Sequence, residues 1–216
     1  YSDMGFYILK KLAESKLNQP IEQFLEQNFY RPLGLSTMTY LPLCKFPQNR
    51  IAPTEVDNYF RNTLICGTVH DQGAAMFGGI AGHAGIFSNA TDLAVLAQMN
   101  LQDGYYGGTR YLQEGTLEKF TKQQSSQNRR GLGWDKPERN GNINPTSRYA
   151  SAGTFGHTGF TGTAVWVDPE FDLVYVFLSN RIHPKANNTK LIKSNIRTRI
   201  QDAIYDSMWS YRKGNS

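Results

Sequence analysis

Two runs of β-branched and aromatic residues near the end of the chain constrain its fold more than any other feature. They cover residues 161–168 and 173–180, and residues of this kind favour β-strands. Because only the four residues 169–172 separate the runs, we predict an antiparallel hairpin. Phe155–Thr158 is predicted to be the strand that feeds it.

Apolar residues at helical spacing predict that helices surround these strands. The predicted helices cover residues 4–17, 20–29, 91–102, 113–123 and 189–205. Residues 36–70 are irregular and proline-containing, and residues 124–151 are polar loop with room for one short strand at 131–134. This order of elements predicts an α+β fold in which an antiparallel sheet is covered by helices.

Composition excludes several classes of protein. The 216 residues are enough for one domain or most of one. The net charge of +5 comes from scattered basic residues, so we expect no nucleic-acid partner. The densest basic cluster has the spacing of a solvated helix face: Lys190, Lys193, Arg197 and Arg199. No stretch is apolar enough to span a membrane, and Cys44 and Cys66 are expected to be unpaired.

The first candidate motif is Tyr1-Ser2-Asp3, directly before the first predicted helix. A phenol has a reference pKa of about 10 and acts as a general base only where a neighbouring cation lowers that pKa. Taken alone, the triplet is better interpreted as a helix N-cap, with Ser2 or Asp3 capping.

The second candidate motif is Gly156-His157-Thr158-Gly159-Phe160-Thr161-Gly162, at the junction between two predicted strands. Glycines allow a ligand to approach the backbone closely, and an edge strand can offer an N–H group to a developing oxyanion. A glycine-rich turn with a structural histidine fits this motif equally well.

Together and in this order, the motifs resemble two signatures of serine hydrolases of the penicillin-binding and class C β-lactamase group. Those signatures are Tyr-x-Asn or Tyr-Ser-Asn at the head of a helix, and Lys-Thr-Gly or His-Thr-Gly on a strand. The resemblance continues through further segments: 30–38, 84–94, 164–169 and 176–181. It implies a β-lactamase/transpeptidase-like fold, of which residues 1–216 would be the C-terminal portion. The helical region would cover about 1–125, and the sheet with the terminal helix about 126–210.

The resemblance also implies a chemistry, which is acyl transfer through a serine ester without a cofactor or metal. Tyr1 would share the general-base role and protonate the leaving group, and the backbone N–H of Phe160 would help to bind the oxyanion. His157 would orient the substrate or support Tyr1. The substrate, a small ester, amide or peptide, would also contact a set of binding residues: Asp3, His83, Thr158 and Gly159.

The first signature of the group, Ser-x-x-Lys, is not found in a usable place. The nucleophile and its lysine are therefore expected upstream of Tyr1, in a missing N-terminal segment of the same protein. We expect these 216 residues alone to be inactive. By association with the group, the protein is expected to be periplasmic or secreted.

Two departures from the group narrow the expected substrate. Asp3 replaces an asparagine, and an ionised carboxylate accepts hydrogen bonds but cannot donate them. His157 replaces a lysine and can be neutral near pH 7. Both changes argue against an efficient β-lactamase and for an esterase, amidase or peptidase. The alternatives are a D-amino-acid peptidase or cell-wall-modifying enzyme of the same fold, or a non-catalytic binding module.

Two further histidines, His70 and His83, lie near glycines, and Asp71 directly follows the first. A zinc site built from His70, Asp71 and His83 is conceivable. We favour loop residues that hydrogen-bond locally and line one wall of the cleft, with no metal.

Overall fold

A computed structural model describes residues 2–138 and 144–214. The chain forms two compact units, one of Tyr1–Leu93 with Ile182–Asn188, the other of Ala94–Arg181 with Thr189–Ser216. Among the described helices, none combines the length and the apolarity needed to cross a bilayer.

The first unit begins with the two predicted helices. Helix α1 covers Met4–Leu17 and ends at Asn18, whose φ of 52° is left-handed. Helix α2 covers Ile21–Leu25 and continues as a π-helical turn over Glu26–Tyr30. Pro20 precedes α2, where its missing N–H leaves no helical hydrogen bond unmade.

Residues 36–70 are mostly irregular, as predicted, but contain short elements that the sequence pattern did not indicate. They are the 3₁₀ turns Pro42–Cys44 and Gln48–Arg50, then strands β1 (Val56–Asp57) and β2 (Thr63–Leu64), which pair antiparallel. Backbone N–H groups of Phe60, Tyr59 and Arg61 hold the pKa of Asp57 far below its ordinary value. The Arg61 guanidinium joins this carboxylate to the backbone just before α3 (Gln72–Met76).

The next elements are helix α4 (Ala90–Leu101), strands β3 (Tyr105–Tyr106) and β4 (Thr109–Arg110), and helix α5 (Thr116–Thr121). The two helices confirm the predictions at 91–102 and 113–123. The β3–β4 hairpin was not predicted. Its turn uses Gly107 and Gly108, whose φ values are 57° and 82°, a conformation that only glycine adopts without strain.

The sheet of the second unit has the order β5-β6-β7, with β5 at Phe155–Thr158, β6 at Ala164–Asp168 and β7 at Leu173–Phe177. Both neighbouring pairs are antiparallel, which confirms the predicted hairpin and the strand that feeds it. The short strand suggested at 131–134 is wrong, because that segment is irregular. Its neighbour Asp135 forms an isolated bridge with Gly156.

Both faces of this sheet are covered. Phe155 and Val167 pack on one face with Ala97 of α4 and Leu117 of α5. Ala164, Trp166 and Tyr175 pack on the other face, next to Ile204. These positions alternate along the strands, as a two-sided sheet requires.

Helices α6 (Lys190–Lys193) and α7 (Ile196–Gly214) replace the single terminal helix predicted at 189–205. Asn195, with a left-handed φ of 50°, separates them. Ile204, which packs on the sheet, belongs to α7. The described elements confirm the α+β fold with an antiparallel sheet covered by helices.

Candidate active site

The second sequence motif lies at the end of β5 and in the turn that follows. His157 pairs with Val165 and Thr158 with Ala164, after which the Gly159 N–H donates to the Thr163 carbonyl at 2.8 Å. A Cβ on Gly159 would collide with the Thr163 hydroxyl, so close packing of the turn explains this glycine. Phe160 is 62% exposed, and its ring lies under the Arg181 guanidinium at 4.7 Å.

The hydrogen bonds of His157 favour one tautomer of its ring. Nδ1 lies 2.7 Å from the Thr158 carbonyl oxygen, which can only accept. Nε2 lies 3.0 Å from Nη1 of Arg130, which can only donate. This arrangement fits a ring that donates from Nδ1 and accepts at Nε2, beside the permanently charged guanidinium of Arg130.

Arg130 is held beside His157 by its own loop. Its backbone N–H donates to Asn128 Oδ1 at 2.9 Å. The nearby Asp135 is already bound by Arg129 at 2.7 and 2.9 Å, whereas Arg130 lies 3.7 Å from it. The Arg130 side chain is 40% exposed. Arg130 thus places a permanent positive charge beside His157, the residue that replaces the lysine of related motifs. The sequence did not reveal this pairing, because Arg130 lies 27 residues away in an aperiodic loop.

The first unit brings together two other predicted site residues, Asp3 and His83. His83 Nε2 lies 3.1 Å from Asp71 Oδ1 and 3.9 Å from Asp3 Oδ2. The His83 side chain is 5% exposed, while the carboxylate-bearing side chains of Asp71 and Asp3 are 37% and 41% exposed. A buried imidazole therefore faces two solvent-accessible carboxylates.

Asp3 occupies the N-cap position of α1, but its side chain makes no capping hydrogen bond. Ser2 Oγ instead accepts from the Met4 N–H at 3.3 Å. The carboxylate of Asp3 is directed to His83, which the N-cap interpretation did not predict. Tyr1, the predicted catalytic phenol, lies outside the described residues.

The grouping of His70 with Asp71 and His83 is not formed. His70 Nε2 is 2.7 Å from Glu55 Oε2, and Asp3 takes its place beside the other two residues. The expectation that these loop residues hydrogen-bond locally fits the two observed pairs. Cys44 and Cys66 are free thiols.

One Ser-x-x-Lys spacing escaped the sequence reasoning, from Ser210 to Lys213. It lies in α7, after both motifs, whereas the order of signatures in the related group puts the nucleophile first. Ser210 Oγ donates to the Asp206 carbonyl at 2.9 Å, which is an ordinary helical back-bond.

Two bacterial proteins are similar in sequence to this chain. An Escherichia coli K12 protein, provisionally named D-alanyl-D-alanine carboxypeptidase, is 38% identical over 204 residues, which are 88% of this chain and 47% of that protein. A Salmonella schwarzengrund protein of the same name is 37% identical over 206 residues, with the same coverage of 88% and 47%. The chain thus spans about half the length of these relatives.

Solved structures share the fold. A β-lactamase of Mycobacterium bovis matches with a TM-score of 0.64 and 21% identity, over 96% of this chain and 63% of that one. Simvastatin synthase of Aspergillus terreus matches with a TM-score of 0.62 and 20% identity, over 92% and 52%. These likenesses confirm the β-lactamase/transpeptidase-like fold. The model of the Beta-lactamase family matches residues 1–195, and the chain therefore belongs to that family.

Proposed function

We propose that the protein is a serine hydrolase that works through an acyl-enzyme on an amide or ester. A serine Oγ attacks the substrate carbonyl and gives its proton to a base formed by a lysine and the Tyr1 phenolate. The tetrahedral oxyanion takes hydrogen bonds from backbone N–H groups, including that of Phe160. Tyr1 then protonates the leaving amine or alcohol, and water hydrolyses the serine ester.

In this proposal the serine and lysine come from a further segment of the same polypeptide, so residues 1–216 alone are inactive. Three observations support such a segment. Helix α1 buries none of its residues and exposes an apolar stripe of Met4, Ile8 and Leu12 beside a hollow of about 540 Å³. In the part of the chain that the structure describes, β7 pairs on one side only, and the relatives supply about as much sequence again.

The observation that carries the proposal furthest is the hydrogen bond from Arg130 to His157. Thr158 follows that histidine at the end of the strand that would bind substrate, and Gly159 begins the turn after it. A permanent guanidinium there favours a substrate with a carboxylate, which Arg recognises with paired hydrogen bonds. This favours a D-amino-acid carboxypeptidase, whose peptide substrate ends in a free carboxylate, over a simple esterase. Such a substrate would place the protein in the periplasm or outside the cell.

Replacing Arg130 with Gln should lower kcat/KM for peptides ending in D-alanine by about 10- to 100-fold. A charge-assisted hydrogen bond contributes about 1.5–3 kcal/mol, and each 1.4 kcal/mol is a factor of ten. Arg130→Lys, which keeps the charge, should retain an intermediate rate. The measurement is release of D-alanine by the intact protein at several substrate concentrations.

Hydrolysis of p-nitrophenyl acetate, which has no carboxylate, serves as the control and should be unchanged in Arg130→Gln. Equal loss on both substrates would show that Arg130 only supports His157, and carboxylate recognition would be refuted. If neither substrate is hydrolysed by the intact wild-type protein, the non-catalytic binding module is the better account.

A further inference from the structure

We propose that Asp3, Asp71 and His83 form a binding site for a divalent transition-metal ion such as Zn²⁺. The site lies wholly within the first unit, and the inference does not rest on the proposed hydrolase reaction. Carboxylate oxygen together with imidazole nitrogen is a donor set typical of zinc and its neighbours, whereas Mg²⁺ and Ca²⁺ prefer oxygen alone.

The donor atoms are already close to the spacing that a metal requires. One ligand atom from each residue lies within 4.8 Å of the other two, and His83 Nε2 is 3.1 Å from Asp71 and 3.9 Å from Asp3. Tetrahedral zinc with bonds of about 2.0–2.2 Å holds its ligands about 3.4 Å apart. Small side-chain rotations would therefore suffice to enclose an ion.

The negative charge of the Asp3 and Asp71 carboxylates also favours binding of a cation. In the described part of the chain, the ion-pair contacts of Asp3 and Asp71 are both with His83, and neither carboxylate has a Lys or Arg partner. Two carboxylates this close repel each other.

A second feature of His83 points to a ligand. Its Nδ1 is buried and has no hydrogen-bond partner among the described residues, although buried polar atoms are normally paired. Here only Nε2 is used, and it faces the two carboxylates, as a metal ligand would.

The surrounding backbone is packed tightly enough to hold the three ligands in place. A Cβ on Gly82 would collide with the Phe6 carbonyl, and one on Gly73 would collide with the Tyr7 hydroxyl. The Tyr7 ring stands edge-on to the His83 ring, with centroids 4.9 Å apart. Solvent still reaches both carboxylates, so water can fill the remaining coordination position. The ion would fix the head of α1, two residues after Tyr1.

The test is titration of the intact protein, freed of metal by a chelator, with zinc chloride in a calorimeter. We expect one equivalent to bind with a dissociation constant below about 10 µM. Asp3→Asn and Asp71→Asn keep the side-chain shape, and the new amide oxygen at 71 can still cap α3. Each should weaken binding by at least about 10-fold, since loss of even an outer-shell partner costs that much. His70→Gln is the matched control and should bind zinc like the wild type.

Thermal unfolding gives a second readout, because an ion that binds the native state raises its stability by mass action. At the same zinc concentration, the unfolding midpoint should rise in the wild type and in His70→Gln by more than in Asp3→Asn. The proposal is overturned if no binding is detected, if Asp3→Asn and Asp71→Asn bind as tightly as the wild type, or if His70→Gln loses binding equally.

Discussion

Replacing Asp168 with Ala should lower the free energy of unfolding by about 3–5 kcal/mol, the loss typical of breaking a buried charged network. Asp168 is buried at the end of β6. It accepts hydrogen bonds from the N–H and hydroxyl of Ser151 at 2.9 and 2.6 Å, and from the Tyr205 hydroxyl of α7. Removing the carboxylate leaves these buried donors unpaired, which is costly. Urea denaturation of the variant and the wild type at pH 7 measures the difference.

The same carboxylate makes stability depend on pH. Burial alone would raise the pKa of Asp168, but the hydrogen bonds from Ser151 and Tyr205 outweigh burial and lower it. Its stabilisation is therefore complete above the unfolded value of about 3.9 and is lost as the pH falls through the lower folded pKa. The wild type should lose stability below about pH 4, and Asp168→Asn should lose less over that interval. An identical acid dependence in the two proteins would contradict this role.

Replacing Tyr1 with Phe should abolish hydrolysis by the intact protein, with a fall in kcat of about 10²- to 10⁴-fold, the contribution expected of a general acid–base group. The substitution removes the hydroxyl through which the proton passes and keeps the ring. Steady-state hydrolysis of p-nitrophenyl acetate measures it. Tyr59→Phe is the control, since Tyr59 is 87% exposed. Full activity in Tyr1→Phe, with an unchanged unfolding midpoint, would show that the assigned role is wrong.

The sequence predicted the fold well where periodicity is strong. Phe155–Thr158 and the hairpin of β6 and β7 combine β-branched and aromatic residues with a short connector, and Met4–Leu17 has a clear helical pattern. Local backbone conformations were harder to predict from the sequence. The break at Asn195 requires a left-handed residue inside an otherwise helical pattern, and nothing in the pattern distinguishes it from a solvent-facing asparagine.

The residues of the candidate sites were predicted from the sequence mainly where they form a contiguous motif. His157, Thr158 and Gly159 were found because they are contiguous, whereas the partner of His157 was not, because a cation 27 residues away leaves no local signal. Asp71 and His83 were suspected together because each lies near glycines. The zinc site considered conceivable from the sequence included the adjacent His70 and not Asp3, because sequence proximity cannot reveal that the Asp3 side chain is directed to His83.

The most direct test of the hydrolase account is covalent labelling of the intact protein with a fluorophosphonate probe, followed by mass spectrometry of its peptides. The account predicts one adduct, on a serine that is followed three positions later by lysine and that precedes Tyr1 in the polypeptide. A folded protein that takes up no label, or that is labelled at Ser210 instead, would contradict it.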